Sequence, residues 1–193
     1  MSAIERIRAE RIVAILRRTP DVDDKIAAVV EAGLRVVEIT LDSDDALGAI
    51  DRTRRRGDVT VLAGTVRRRG QVDEAVAAGA EAVVSPAFSS EVIARARELG
   101  VPAIPGAFTP TEVEVAWAAG AALVKLFPAN VGGPGYFREL LAPLRDVPLV
   151  ATGGVDATNA RAFLDAGAVA VGVASALEDP NEARRLVTAV ADR

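Results

Sequence analysis

The chain has 193 residues and a formal net charge of −4; half of it is apolar, only 4% is aromatic, and it contains neither cysteine nor histidine. Disulfides, thiolate chemistry, His-ligated metal sites and every Ser-His-Asp triad are thereby excluded, which leaves acid–base work to Glu, Asp, Lys, Tyr or water and points to a metal-free, cofactor-free site. The charge offers no general attraction to nucleic acid or to an anionic membrane, no stretch reaches the roughly 20 apolar residues of a membrane span, and a cysteine-free chain without a signal-like N-terminus fits the cytoplasm.

At this length a single domain over residues 1–193 is expected, able to bury roughly 70% of its unfolded surface in one core. A helix over Ala3–Arg11 comes first, and strands are then expected at Ile12–Leu16, Val36–Leu41, Thr60–Ala63 and Ala82–Ser85. Four more follow at Ala103–Pro105, Leu123–Phe127, Leu149–Ala151 and Ala170–Val173. Helical patterns alternate with them near Asp23–Ala32, Ser43–Arg55, Gly70–Ala78, Ser90–Leu99, Thr111–Ala119, Tyr136–Leu144, Asn159–Ala166 and Asn181–Val190. Ser43, Ser90, Thr111 and Thr158 stand where helix N-caps are needed. Most helices close on Ala-Gly or a near variant just before an apolar strand, and the glycines at 33, 57, 79, 100 and 120 are 24, 22, 21 and 20 residues apart. Eight such near-equal units predict an α/β fold, a (β/α)8 TIM barrel with an extra N-terminal helix. The arginine clusters Arg52–Arg56 and Arg67–Arg69 are flanked by acids and read as solvated faces.

In such a barrel the chemistry sits at the C-terminal ends of the strands. Two of those ends carry a charge that the core does not need. In Val36-Val37-Glu38-Ile39-Thr40-Leu41, alternation turns Glu38 and Thr40 to the barrel interior and Val37, Ile39 and Leu41 to the helices. In Leu123-Val124-Lys125-Leu126-Phe127 a lone amine lies in an apolar run, where burial favours the uncharged form that attacks carbonyls. The chain has twenty-one arginines and only two lysines, Lys25 and Lys125, and an arginine forms no imine. An amine and a carboxylate in one pocket suit Schiff-base chemistry, with Lys125 as nucleophile and Glu38 passing protons. Thr152-Gly153-Gly154 after the seventh strand, with Gly172 and Ser175 at the end of the eighth, offers backbone N–H groups to a phosphate.

These residues occur in a recognisable order. Glu38-Ile39-Thr40-Leu41, Ala63-Gly64-Thr65-Val66, Ser85-Pro86, Pro105-Gly106, Lys125-Leu126-Phe127-Pro128-Ala129, Thr152-Gly153-Gly154-Val155 and Val171-Gly172 through Ser175 resemble, in sequence and spacing, the 2-keto-3-deoxy-6-phosphogluconate (KDPG) aldolase family, over nearly the whole chain. The resemblance implies a homotrimeric, metal-independent class I aldolase that releases pyruvate and glyceraldehyde 3-phosphate from a phosphorylated keto acid. It implies Lys125 as the Schiff-base lysine, Glu38 as the acid–base group, Thr65 as a contact to the pyruvate carboxylate, Phe127 as a pocket wall, and Gly153, Gly154 and Ser175 as phosphate ligands. Two positions depart from the pattern. Where many members carry an arginine four residues after the glutamate, this chain has Asp42, so Arg17 at the end of the first strand is the expected carboxylate anchor. Arg67-Arg68-Arg69-Gly70 replaces the usual turn after the third strand. The same lysine also serves a 2-keto-3-deoxy-6-phosphogalactonate or 4-hydroxy-2-oxoglutarate aldolase. A silent phosphate-binding barrel or trimeric scaffold is the reading from another class.

Overall fold

The computed structural model describes residues 1–191. The expected domain limit at residue 193 lies outside the described residues. The strands β1 (Ile12–Leu16), β2 (Val36–Thr40), β3 (Thr60–Gly64), β4 (Ala82–Val84), β5 (Ala103–Ile104), β6 (Gly106–Ala107), β7 (Val124–Leu126), β8 (Leu149–Thr152) and β9 (Ala170–Val173) form one parallel sheet. Its order is β5-β4-β3-β2-β1-β9-β8-β7-β6. The two end strands flank Pro105: β5 lies within the expected fifth strand, Ala103–Pro105, and pairs with β4, whereas β6 extends beyond that expectation and pairs with β7. The sheet is thus closed by the chain itself, and the eight-strand barrel expected from the sequence is the fold observed.

The helices are α1 (Ala3–Glu10), α2 (Val22–Glu31), α3 (Ala46–Arg56), α4 (Arg69–Ala77), α5 (Ser90–Glu98), α6 (Pro110–Ala118), α7 (Ala129–Leu141), α8 (Ala160–Asp165) and α9 (Pro180–Ala191), with a short 3-10 turn at Ser175–Glu178. Alternation along each strand divides the apolar residues between two cores. Outward side chains such as Val37, Ile39, Val61 and Leu126 pack against the helices. Inward ones, including Val13, Ile15, Leu62, Val84, Ile104 and Val150, fill the barrel, and Ile7 of α1 plugs it from below. That plug is the role of the extra N-terminal helix.

Several caps differ from the expectation. Ser89, not Ser90, caps α5 by accepting from the Val92 N–H, and Thr109, not Thr111, caps α6 with Pro110 in its first turn. Thr158 caps nothing; Asp156 holds it through its N–H and hydroxyl at 2.8 and 2.6 Å. Ser43 precedes α3 by a turn and instead accepts the Arg18 N–H at 2.8 Å. The seventh helix starts at Ala129 rather than near Tyr136, kinked where Gly133 takes φ 67° and ψ −176°. The arginine clusters lie in exposed ion pairs, Arg52 with Asp23 and Asp45, Arg55 with Asp51, Arg56 with Asp58 and Arg69 with Glu98. Among the described residues no helix is long and apolar enough to cross a membrane.

Candidate active site

Glu38 and Lys125 sit on strands across the barrel from one another, both inward, both almost wholly buried. Their charged ends approach to 3.8 Å, between Lys125 Nζ and Glu38 Oε1. That is beyond direct hydrogen-bond length, and Oε1 makes no hydrogen bond within the protein. The two groups share one small apolar cavity with Ile15, Val150, Thr152 and Gly172. A buried ion pair contributes little net stability, because desolvation offsets attraction. The site therefore carries a cost that packing does not repay, placed where barrel chemistry occurs.

Glycine backbone shapes this cavity. Gly64 lies beyond Leu62 on the inward face of β3, and the Glu38 side chain leans over it. A Cβ on Gly64 would stand 2.2 Å from Glu38 Oε1 and 2.7 Å from its Cγ. Gly172 makes room for the Thr152 hydroxyl, which a Cβ would meet at 2.6 Å. Phe127 lies beside the amine, with Nζ 5.4 Å from the ring centroid, and Gly153 packs behind that ring. Gly154 is braced against Asn130, and its carbonyl accepts from Asn159 Nδ2 at 2.9 Å. Thr65 follows Gly64 directly and takes φ 58°, a left-handed conformation uncommon for a residue other than glycine.

Arg17 and Ser175 do not line the lysine cavity. They share an adjoining pocket with Thr19 and Lys25, and Ile15 forms the wall between the two spaces. Asp42, which stands where an arginine was expected, is engaged by Arg18 through a 3.0 Å ion pair. Although burial opposes it, the neighbouring Thr40 hydroxyl and the hydrogen bond from Arg18 hold the Asp42 carboxyl below the usual range, so it stays ionised and compensated. Thr40 donates to the Leu16 carbonyl at 3.2 Å and meets the Ser43 hydroxyl at 3.1 Å, which ties the ends of β1 and β2 together. Sequence reasoning missed Gly64 and this network. The first was visible only as one letter of Ala63-Gly64-Thr65, and its role depends on strand register. A wider groove of about 490 Å³ opens at the opposite end of the barrel beside Arg8, Arg138 and Arg145, but it carries no carboxylate–amine pair.

A family model described as KDPG and KHG aldolase matches residues 3–187. A 2-dehydro-3-deoxy-phosphogluconate aldolase of Treponema pallidum is 39% identical over 159 residues, covering 81% of this chain and 75% of the relative. A 2-dehydro-3-deoxy-6-phosphogalactonate aldolase of Escherichia coli is 39% identical over 173 residues, covering 86% of this chain and 83% of its own. A solved structure described as native KDPGal superposes with a TM-score of 0.87 at 33% identity, covering 93% of both chains.

Proposed function

The chain belongs to the KDPG and KHG aldolase family, and from that premise we propose that it is a class I aldolase cleaving KDPG reversibly to pyruvate and glyceraldehyde 3-phosphate. The carrying observation is the buried Lys125–Glu38 pair inside the barrel. Lys125 Nζ adds to the C2 carbonyl, and loss of water leaves a protonated imine. Glu38 accepts the proton of the C4 hydroxyl, the C3–C4 bond breaks, and its electron pair passes to the imine to form an enamine while the aldehyde departs. Protonation at C3 and hydrolysis of the imine then release pyruvate and restore the amine. The 3.8 Å separation suits an acid–base group that acts on a substrate oxygen beside the amine rather than on the amine itself.

Around the pair, Phe127 and Thr152 wall the reacting carbons, and Gly172 keeps space for the Thr152 hydroxyl. Thr65 and Arg17 are assigned to the carboxylate. Arg17 directly follows β1 and lines the pocket that shares Ile15 with the lysine cavity. Gly153, Gly154 and Ser175 are assigned to the phosphate. Cleavage of 2-keto-3-deoxy-6-phosphogalactonate is the second reading, favoured by the 39% identity to the Escherichia coli relative of that name. A homotrimeric assembly of single-domain chains is part of the proposal and is read by light scattering.

The testing experiment is borohydride reduction in the presence of pyruvate, followed by intact mass and peptide mapping. An adduct confined to Lys125 supports the reading. A folded protein that traps no pyruvate overturns it and favours a silent phosphate-binding barrel.

A further inference from the structure

The second lysine of the chain has no place in the chemistry described so far, yet its position is not that of a surface charge. Lys25 stands three residues after Val22 and four before Val29, both buried, so it continues the packed stripe of α2. It is half-buried, and among the described residues it enters no ion pair, whereas neighbouring Asp23 is held by Arg52. Its side chain lines a pocket of about 220 Å³ with Arg17, Thr19, Ser175 and Glu178. Two cations, one carboxylate and two hydroxyls face that space, which leaves it one net positive charge. Ile15 walls both this pocket and the Lys125 cavity, so the two spaces adjoin.

Resting on the aldolase reading above, we propose that Lys25 is a specificity-determining residue that supplies the positive charge for the terminal phosphate of the substrate, opposite the Ser175 side of the same group. A compact ammonium with three donors suits a tetrahedral dianion that turns about its ester bond. A phosphate ligand also accounts for a cation on the packed face of a helix, between the buried Val22, Ile26 and Val29. Lys25 touches only the distal end of the substrate. Its effect therefore falls on discrimination between phosphorylated and unphosphorylated aldehydes, and the lysine cavity is left out of it.

The test compares condensation of pyruvate with D-glyceraldehyde 3-phosphate and with D-glyceraldehyde, in the wild type, Lys25→Gln and Lys25→Arg. Loss of one charge-assisted hydrogen bond is expected to lower the ratio of kcat/KM for the two aldehydes about tenfold or more in Lys25→Gln, through KM of the phosphorylated one. Lys25→Arg is expected to restore most of the ratio. Inorganic phosphate, competing with glyceraldehyde 3-phosphate, should lose potency by a similar factor in Lys25→Gln. An unchanged ratio, or equal loss on both aldehydes, overturns the assignment while pyruvate trapping at Lys125 still supports the aldolase. Failure of the wild type to trap pyruvate removes the aldolase reading itself.

Discussion

At the scale of single residues, the lysine–glutamate pair was legible because charge is so rare in an apolar strand that one amine or one carboxylate stands out. Alternation then assigned Glu38 its face correctly. What stayed hidden was the space those side chains need. Gly64 is small because Glu38 lies over it, and the contact depends on β2–β3 register, in which Thr40 pairs with Gly64. Gly64→Ala is expected to push the Glu38 carboxylate off its position, lowering kcat by one to two orders of magnitude while costing only about 1–3 kcal/mol of stability. Steady-state kinetics with thermal unfolding separates the two effects, and a variant with normal kcat would remove Gly64 from the positioning of Glu38. Glu38→Gln should lose roughly 10²- to 10⁴-fold in kcat and keep the capacity to trap pyruvate. Lys125→Arg keeps a cation in the pair but should trap none.

At the scale of elements, the recurrent Ala-Gly phrase marked where helices end, and Gly33, Gly57, Gly79, Gly100, Gly120 and Gly167 all have positive φ. Helix starts were less legible, since any Ser or Thr near the boundary can cap and only the backbone path selects one. The run Gly132-Gly133-Pro134-Gly135 concealed the first turns of α7 for the same reason: low helix propensity hid a segment that the fold imposes. The start of α6 shows what a correct cap contributes. Glu112 Oε2 accepts the Thr109 and Phe108 N–H groups at 2.8 Å each, and these bonds, that of Thr109 first, hold its carboxyl below the usual carboxylate range. A depressed folded value means that the contribution is complete above the unfolded one and is lost as pH falls through the folded one. The stability of α6 should therefore decline as the solution is acidified below about pH 4.5. Thr109→Ala should cost about 1 kcal/mol, and Glu112→Gln should flatten the acid limb of the stability profile. Urea titrations across that range check both; an unaltered acid limb in Glu112→Gln would place the sensitivity elsewhere.

For the whole molecule, eight repeated units predicted a closed barrel, but nothing in the repeat showed where the closure is made. It is made inside one strand: Pro105 donates no N–H, the chain shifts its pairing from β4 to β7, and the Pro105 carbonyl accepts the Lys125 N–H at 2.9 Å. Gly106 crosses this seam so close to the turn after β4 that a Cβ would stand 2.2 Å from the Pro86 carbonyl oxygen and 2.5 Å from its carbon. Backbone on both sides leaves no flexible side chain to yield. Gly106→Ala must therefore separate the two edges, at an expected cost of about 1–3 kcal/mol and a fall in Tm of roughly 3–10 °C for a chain of this size. Gly106 also pairs in register with Lys125, so kcat should fall with stability. The same substitution at Gly70, in the first turn of α4, meets nothing within 4 Å and should stabilise by up to about 1 kcal/mol through helix propensity. Calorimetry on the two variants tests the seam: opposite signs locate the barrel's closing constraint at Gly106, and equal, small shifts would show that β5 and β6 part without resistance.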